Sequence, residues 1–192
     1  MNLANWKRML PIVAVSGVLG LMGSDFKHKL GPLPTGNHLA PYADCYRCPF
    51  KTTYPTCGLA CVDFLRQLIR LNTAGSLAAI IVEPIQGTAG NVIPPSDWLP
   101  AVKSVAKEFD ALLILDEMIT GFGRTGKMFG AEHFGVEADI MTFGKGVASG
   151  FPLTGLITSD EIVRSDKSDP WTRPSFSSSS YGGAPLGAAA GN

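Results

Sequence analysis

The sequence predicts an α/β fold with a largely parallel sheet, and three observations point to it. Short apolar runs alternate with stretches of helical spacing along the chain. The composition, 45% apolar and 17% charged over 192 residues, is that of a chain with a buried core. Residues able to do chemistry follow three of the apolar runs: Glu83, Asp116 and the segment around Lys145. In sheets of this kind ligands sit beyond the carboxyl ends of the strands.

The elements follow in order. Residues 24–58 are rich in Pro, Gly and aromatic residues without a helical period, which predicts a long ordered loop. From Cys61, the apolar residues Phe64, Leu65, Leu68 and Ile69 repeat at helix spacing, with Asp63, Arg66, Gln67 and Arg70 on the other face. Residues 72–75 end that helix. Ala78 to Val82 form a short buried strand. Ser96 is positioned to cap a second helix, whose apolar face is Trp98, Val102, Val105, Ala106 and Phe109. Strands then follow at Ala111 to Leu115, Asp139 to Phe143 and Leu153 to Thr158, and Ser159 can cap a short helix after the last.

Equal numbers of basic and acidic residues, with no basic run, argue against a nucleic-acid partner. Lys7 and Arg8 before the apolar stretch Met9 to Met22 resemble a signal peptide, but Pro11, Gly17 and Gly20 fit a buried strand and turn equally well. The stretch is too short to span a bilayer, so no membrane partner is expected. At the other end, Ala188 to Asn192 stop inside what reads as a helix start, as if the chain were cut there.

Several residues could carry chemistry. Asp116 follows five apolar residues, so its carboxylate is partly desolvated and is expected to pair with a cation. A helix cap or a structural salt bridge is the plainer reading. Lys145 sits between glycines just after an apolar run. Burial there would favour the neutral amine that Schiff-base chemistry needs, although a surface lysine is the commoner case. Residues 121–126, GFGRTG, match G-x-G-x-x-G, but Asp116 to Thr120 intervene and no helix start follows; Met128 stands where a P-loop needs Ser or Thr. Cys45, Cys48, Cys57 and Cys61 are the chain's only cysteines, spaced C-x2-C-x8-C-x3-C. That clustering suits a tetrahedral zinc site in a cysteine-containing loop insertion over residues 41–61; reduced thiols, or disulfides if the chain is secreted, are the alternatives.

Three stretches together resemble the class III aminotransferases: IIVEPIQGTAGNVIPP at 80–95, LLILDEMITGFGRTGKMFGAEHFGVEADIMTFGKG at 112–146, and SYGGAPLGAAAG at 180–191. PYADCYRCPF at 41–50 also looks like a variant found in some members. The resemblance implies the three-layer large domain of the fold type I pyridoxal-phosphate enzymes, incomplete here, with residues 1–192 forming part of it. It implies that Lys145 holds the cofactor, that Asp116 pairs with its protonated ring nitrogen, that Met118 packs on its ring, and that Ser180 reaches the phosphate of the neighbouring subunit's cofactor. It further implies a cytoplasmic homodimer moving an amino group between an amino acid or ω-amino acid and a 2-oxo acid.

The departures shape the expectation. Ile119 stands where many members carry Gln, Thr88 where ornithine- and 4-aminobutyrate-type members carry Glu, and Ala184 where Asn is usual. Members are about twice as long or more, so the chain reads as a fragment, inactive by itself, without the phosphate loop or the carboxylate-binding arginine. A racemase or decarboxylase on the same lysine is one alternative reading. A nucleotide-binding oxidoreductase using residues 121–126 is a second, and a zinc-stabilised, non-catalytic interaction module that binds no aldehyde cofactor is a third.

Overall fold

The computed structural model describes residues 20–23, 28–29, 31–73, 76–163 and 182–192. The chain from residue 31 to Leu59 has neither helix nor strand. Helix α1 then spans Ala60–Asn72, followed by β1 at Ala79–Val82, α2 at Trp98–Glu108, β2 at Leu112–Asp116 and β3 at Ile140–Phe143. After β3 come β4 at Gly155–Thr158, the short α3 at Asp160–Val163 and α4 at Pro185–Gly191. Short 3-10 helices lie at Gly130–His133 and Lys145–Ala148.

The four strands form one sheet in the order β1-β2-β3-β4. β1, β2 and β3 run parallel, and β4 returns antiparallel to β3. This is the mostly parallel α/β sheet expected, with strands of four or five residues, as brief as the apolar runs that encode them. Parallel pairing brings the carboxyl ends of β1, β2 and β3 to one edge, so Glu83, Asp116 and Lys145 follow neighbouring strand ends.

The core lies between the sheet and α2. Leu99 and Val105 from the helix, and Leu113 and Leu115 from β2, are fully buried, with Trp98, Val102 and Ala106 beside them. Burying one such aliphatic side chain contributes about 1.5–3 kcal/mol. Helix α1 adds Val62 and Ile69 to the same cluster. On its outer face, Arg66 and Arg70 both reach Glu108 at the end of α2, at 2.9 and 2.7 Å. This ion pairing is exposed and contributes little beyond alignment of the two helices.

One capping expectation is corrected. Ser96 does not cap α2. The chain enters that helix through a turn closed by the Trp98 N–H on the Pro95 carbonyl (3.1 Å), and Asp97 occupies the cap position without a side-chain hydrogen bond. Ser159 does cap α3, its hydroxyl accepting the Ile162 N–H at 3.3 Å. Residues 1–19, including most of the stretch resembling a signal peptide, lie outside the described residues. Among the described residues no helix is long and apolar enough to cross a membrane.

Candidate active site

The site is built at the shared carboxyl edge of β2 and β3. Asp116 is the last residue of β2 and stands in register with Thr142 of β3. One oxygen of its carboxylate, Oδ1, accepts two hydrogen bonds, from the Met118 N–H at 3.0 Å and from the Thr142 hydroxyl at 3.3 Å. No ion pair reaches Asp116 among the described residues, so the expected cationic partner is absent there. The half-buried carboxylate is held by neutral donors instead, and Oδ2 accepts no hydrogen bond from any described residue.

Lys145 opens a 3-10 helix immediately beyond β3, with a backbone φ of 41°. That left-handed conformation is uncommon for a residue with a side chain and is a cost concentrated at functional sites. Its side chain is exposed and lines a cleft of about 880 Å³, together with Phe122, Arg124, Phe151 and Thr154. That is within the range of pockets that hold small molecules and cofactors.

Met118 links the two strand ends. Its sulfur lies against Gly144, where a Cβ built on the glycine would come within 2.6 Å. The half-buried Met118 side chain is therefore seated next to Lys145, between the segments that follow β2 and β3. The glycine motif packs here as well: a Cβ on Gly146 would stand 3.2 Å from Phe122 Cβ and 3.6 Å from Arg124 Nε. Residues 121–126 are turns that lie against the lysine segment and open no helix, so they lack the phosphate-binding helix start of a dinucleotide fold.

Glu117, which the sequence reading passed over, is the anchor of this loop. Its side chain is fully buried, and its carboxylate accepts hydrogen bonds from the Thr120 hydroxyl and from the backbone N–H groups of Gly130 (2.9 Å) and Ala131 (2.8 Å). Its own N–H donates to the Thr142 carbonyl at 2.9 Å. A carboxylate next to Asp116 at a strand end was visible in the sequence; its burial was not. Glu83 is used locally, its Oε2 accepting the Gly87 N–H at 2.9 Å. Ile119 packs against Gly87, so the turns after β1 and β2 meet.

The four cysteines line one small cavity, with Tyr42, Phe50 and Tyr54 among its other walls. All four are free thiols. Burial raises the Cys45 thiol, and neighbouring Cys57 and Cys48 raise it further; burial likewise raises Cys61. A hydrogen bond from Thr52 lowers Cys48. Among the described residues no three His, Cys, Asp or Glu side chains are arranged to hold a metal ion. Tyr42 ties this region to the sheet edge: its hydroxyl proton is shared between the carbonyls of Glu83 and Pro84, at 3.1 and 3.0 Å. Ser180 lies outside the described residues.

An amine and a carboxylate with an open oxygen thus follow the ends of adjacent parallel strands. The donor set fits pyridoxal phosphate: an aldehyde for Lys145, a basic ring nitrogen for Asp116 Oδ2, and an apolar ring face for Met118. The profile of the class-III aminotransferases matches residues 14–192, and the chain belongs to that family. It is 40% identical to the leucine/methionine racemase of Thermococcus litoralis over 78% of this chain and 34% of that protein. It is 43% identical to the omega-amino acid–pyruvate aminotransferase of Pseudomonas putida, over 59% of this chain and 25% of that protein. A solved (S)-enantioselective omega-transaminase from Thermomicrobium roseum superposes with a TM-score of 0.78 at 37% identity, over 86% of this chain and 37% of that one. The chain thus spans a quarter to two-fifths of the length of these relatives.

Proposed function

We propose that this chain carries the lysine and ring-nitrogen half of a pyridoxal-phosphate aminotransferase site. The reaction moves an amino group from an amino acid or ω-amino acid to a 2-oxo acid. The observation that carries the reading is that Lys145 and an Asp116 whose Oδ2 is left open follow neighbouring strand ends at the same sheet edge. When bound, pyridoxal phosphate supplies an electron sink for the charge that develops at the substrate α-carbon. Asp116 holds a proton on the ring nitrogen. Met118 supports a ring face. The Lys145 amine holds the cofactor between turnovers and, once released, carries the proton lost from the substrate α-carbon. Ser180 completes a partner's phosphate site in a cytoplasmic homodimer.

The test is borohydride reduction of the protein mixed with pyridoxal phosphate, followed by peptide mapping. The cofactor is expected on Lys145, and a label on Lys127 or Lys107 instead would overturn the assignment. The similarity to a leucine/methionine racemase supports a second reading, racemisation on the same lysine. In a protein that carries this chain together with the family's phosphate loop and carboxylate-binding arginine, incubation with an L-amino acid and pyruvate separates the two: transamination yields alanine, racemisation yields the D-amino acid.

We also propose a structural zinc ion at the cysteine cavity, supported by the convergence of Cys45, Cys48, Cys57 and Cys61 on one space. The sulfurs would have to close on the ion from their present spacing, since no three are now arranged to share one. Native mass spectrometry after zinc titration is expected to show one metal per chain, absent in Cys57→Ser. Four freely titratable thiols in the presence of zinc would establish reduced cysteines instead.

A further inference from the structure

The carboxylate of Asp116 is not held symmetrically. Both of its hydrogen bonds fall on Oδ1. One comes from its own turn, through the Met118 N–H, and any residue at that position could supply it. The other comes from a specific side chain on the neighbouring strand, the Thr142 hydroxyl. Thr142 and Asp116 are register partners in the parallel β2–β3 pair, so their side chains leave the same face of the sheet. The Thr142 carbonyl meanwhile accepts the Glu117 N–H at 2.9 Å, so the same residue holds both the Asp116 carboxylate and the backbone of the residue after it. A β-branched side chain within a strand has few rotamers to lose, so the hydroxyl is aimed at little entropic cost.

We propose that Thr142 is a positioning residue for Asp116. It fixes the rotation of the carboxylate, occupies Oδ1, and leaves Oδ2 as the oxygen presented to a protonated ring nitrogen. The inference rests on the cofactor reading of Lys145 and Asp116. Without the hydroxyl, Oδ1 keeps a single backbone donor and the carboxylate is free to turn. The ring nitrogen is then held less firmly in its protonated form and withdraws less electron density from the lysine end.

The experiment compares Thr142→Val, which keeps the branched shape and removes the donor, with Thr142→Ser, which keeps the donor. Each protein is mixed with pyridoxal phosphate, and the visible band of the bound cofactor is titrated against pH. In Thr142→Val the titration is expected to move to higher pH by about half a unit or more, the scale of one lost neutral hydrogen bond. Thr142→Ser should titrate like the parent. If Thr142→Val fails to fold, Thr142→Ala serves as the donor-free variant. Identical titrations in the parent and the donor-free variant would overturn the inference. So would a shift of equal size in Thr142→Ser, since the hydroxyl would then not be its source. Borohydride trapping on the parent separates the two levels: cofactor fixed at Lys145 with unmoved titrations refutes only the role of Thr142, whereas cofactor fixed elsewhere refutes the underlying site.

Discussion

The sulfur of Met118 fills the space that a side chain on Gly144 would need, with a built Cβ only 2.6 Å away. The contact joins the turn after β2 to the residue that precedes Lys145. It makes Gly144 a spacing requirement, since its φ of −176° is open to any residue. The absence of a side chain there lets Met118 lie down beside the lysine.

Gly144→Ala should therefore push Met118 out of its seat. The sulfur lies towards the end of a flexible side chain and can swing aside, so the cost to stability should be small, about 1 kcal/mol, whereas a shift of the methionine relative to Lys145 should weaken pyridoxal-phosphate binding roughly tenfold, about 1.4 kcal/mol. Equilibrium unfolding in urea and a cofactor titration measure the two effects. Unchanged values in both would mean that Met118 moves aside freely and supports nothing.

Glu117 makes a separate prediction. A buried carboxylate with no cation beside it among the described residues depends on its hydrogen bonds, here from Thr120, Gly130 and Ala131. In Glu117→Gln one oxygen becomes an amide that faces backbone donors, leaving a buried group unsatisfied. The expected loss is about 2–3 kcal/mol, together with faster proteolysis between residues 118 and 130. A variant as stable and as protease-resistant as the parent would show that the loop is held by other contacts.

These two residues mark where the sequence stopped being legible. The strands, α1 and α2 could be found along the chain because short apolar runs and helical spacing are local signals, whereas Asp116 and Lys145 became site candidates only through the resemblance carried by the motifs around them. Thr142 lies 26 residues from the carboxylate it touches, and only the β2–β3 register brings them together. Glu117 was visible as a charged neighbour of Asp116, but its burial depends on the 3-10 turn at Gly130 folding back over it. Ser96 misled because a favourable cap residue was followed by a backbone-closed turn that does not use its hydroxyl. The glycine motif at 121–126 kept a nucleotide alternative open because glycines needed for a close contact, as Gly121 is against the Glu117 carbonyl, or for positive φ, as Gly123 and Gly126 are, look like glycines needed for phosphates.

Asp139 gives the fold an acid limit. Burial pushes its carboxyl up, but the Lys103 ammonium at 2.7 Å and the Leu113 N–H at 2.7 Å outweigh this and hold it below the ordinary value of 3.8. A carboxyl depressed in the folded state contributes stability that is full above its unfolded value and is lost as pH falls through the folded one. Asp139→Asn should cost about 1–2 kcal/mol near neutrality, and the gap from the parent should shrink as pH falls below 3.8. Urea unfolding at a series of pH values reads this directly. A gap constant down to the lowest pH would mean that the charge on Asp139 contributes nothing.

The last prediction concerns Asp116 itself, and its structural contacts make the experiment clean. Asp116→Asn keeps an oxygen at Oδ1, which can still accept the Met118 N–H and the Thr142 hydroxyl, so the strand end should stay in place. What it removes is the negative charge that the proposed function sets beside the ring nitrogen. The cofactor should still be trapped on Lys145 by borohydride, because the lysine and its cleft are untouched. The charge developing at the substrate α-carbon would no longer be drawn into a firmly protonated ring, so removal of the α-proton should slow by about a thousandfold or more, some 4 kcal/mol of barrier. Exchange of the α-proton of an amino-acid substrate into heavy water, followed by proton NMR, isolates that step from product release. Near-parental exchange in a variant that still traps cofactor on Lys145 would reduce Asp116 to a structural residue and leave the electron-withdrawing role without an owner at this sheet edge.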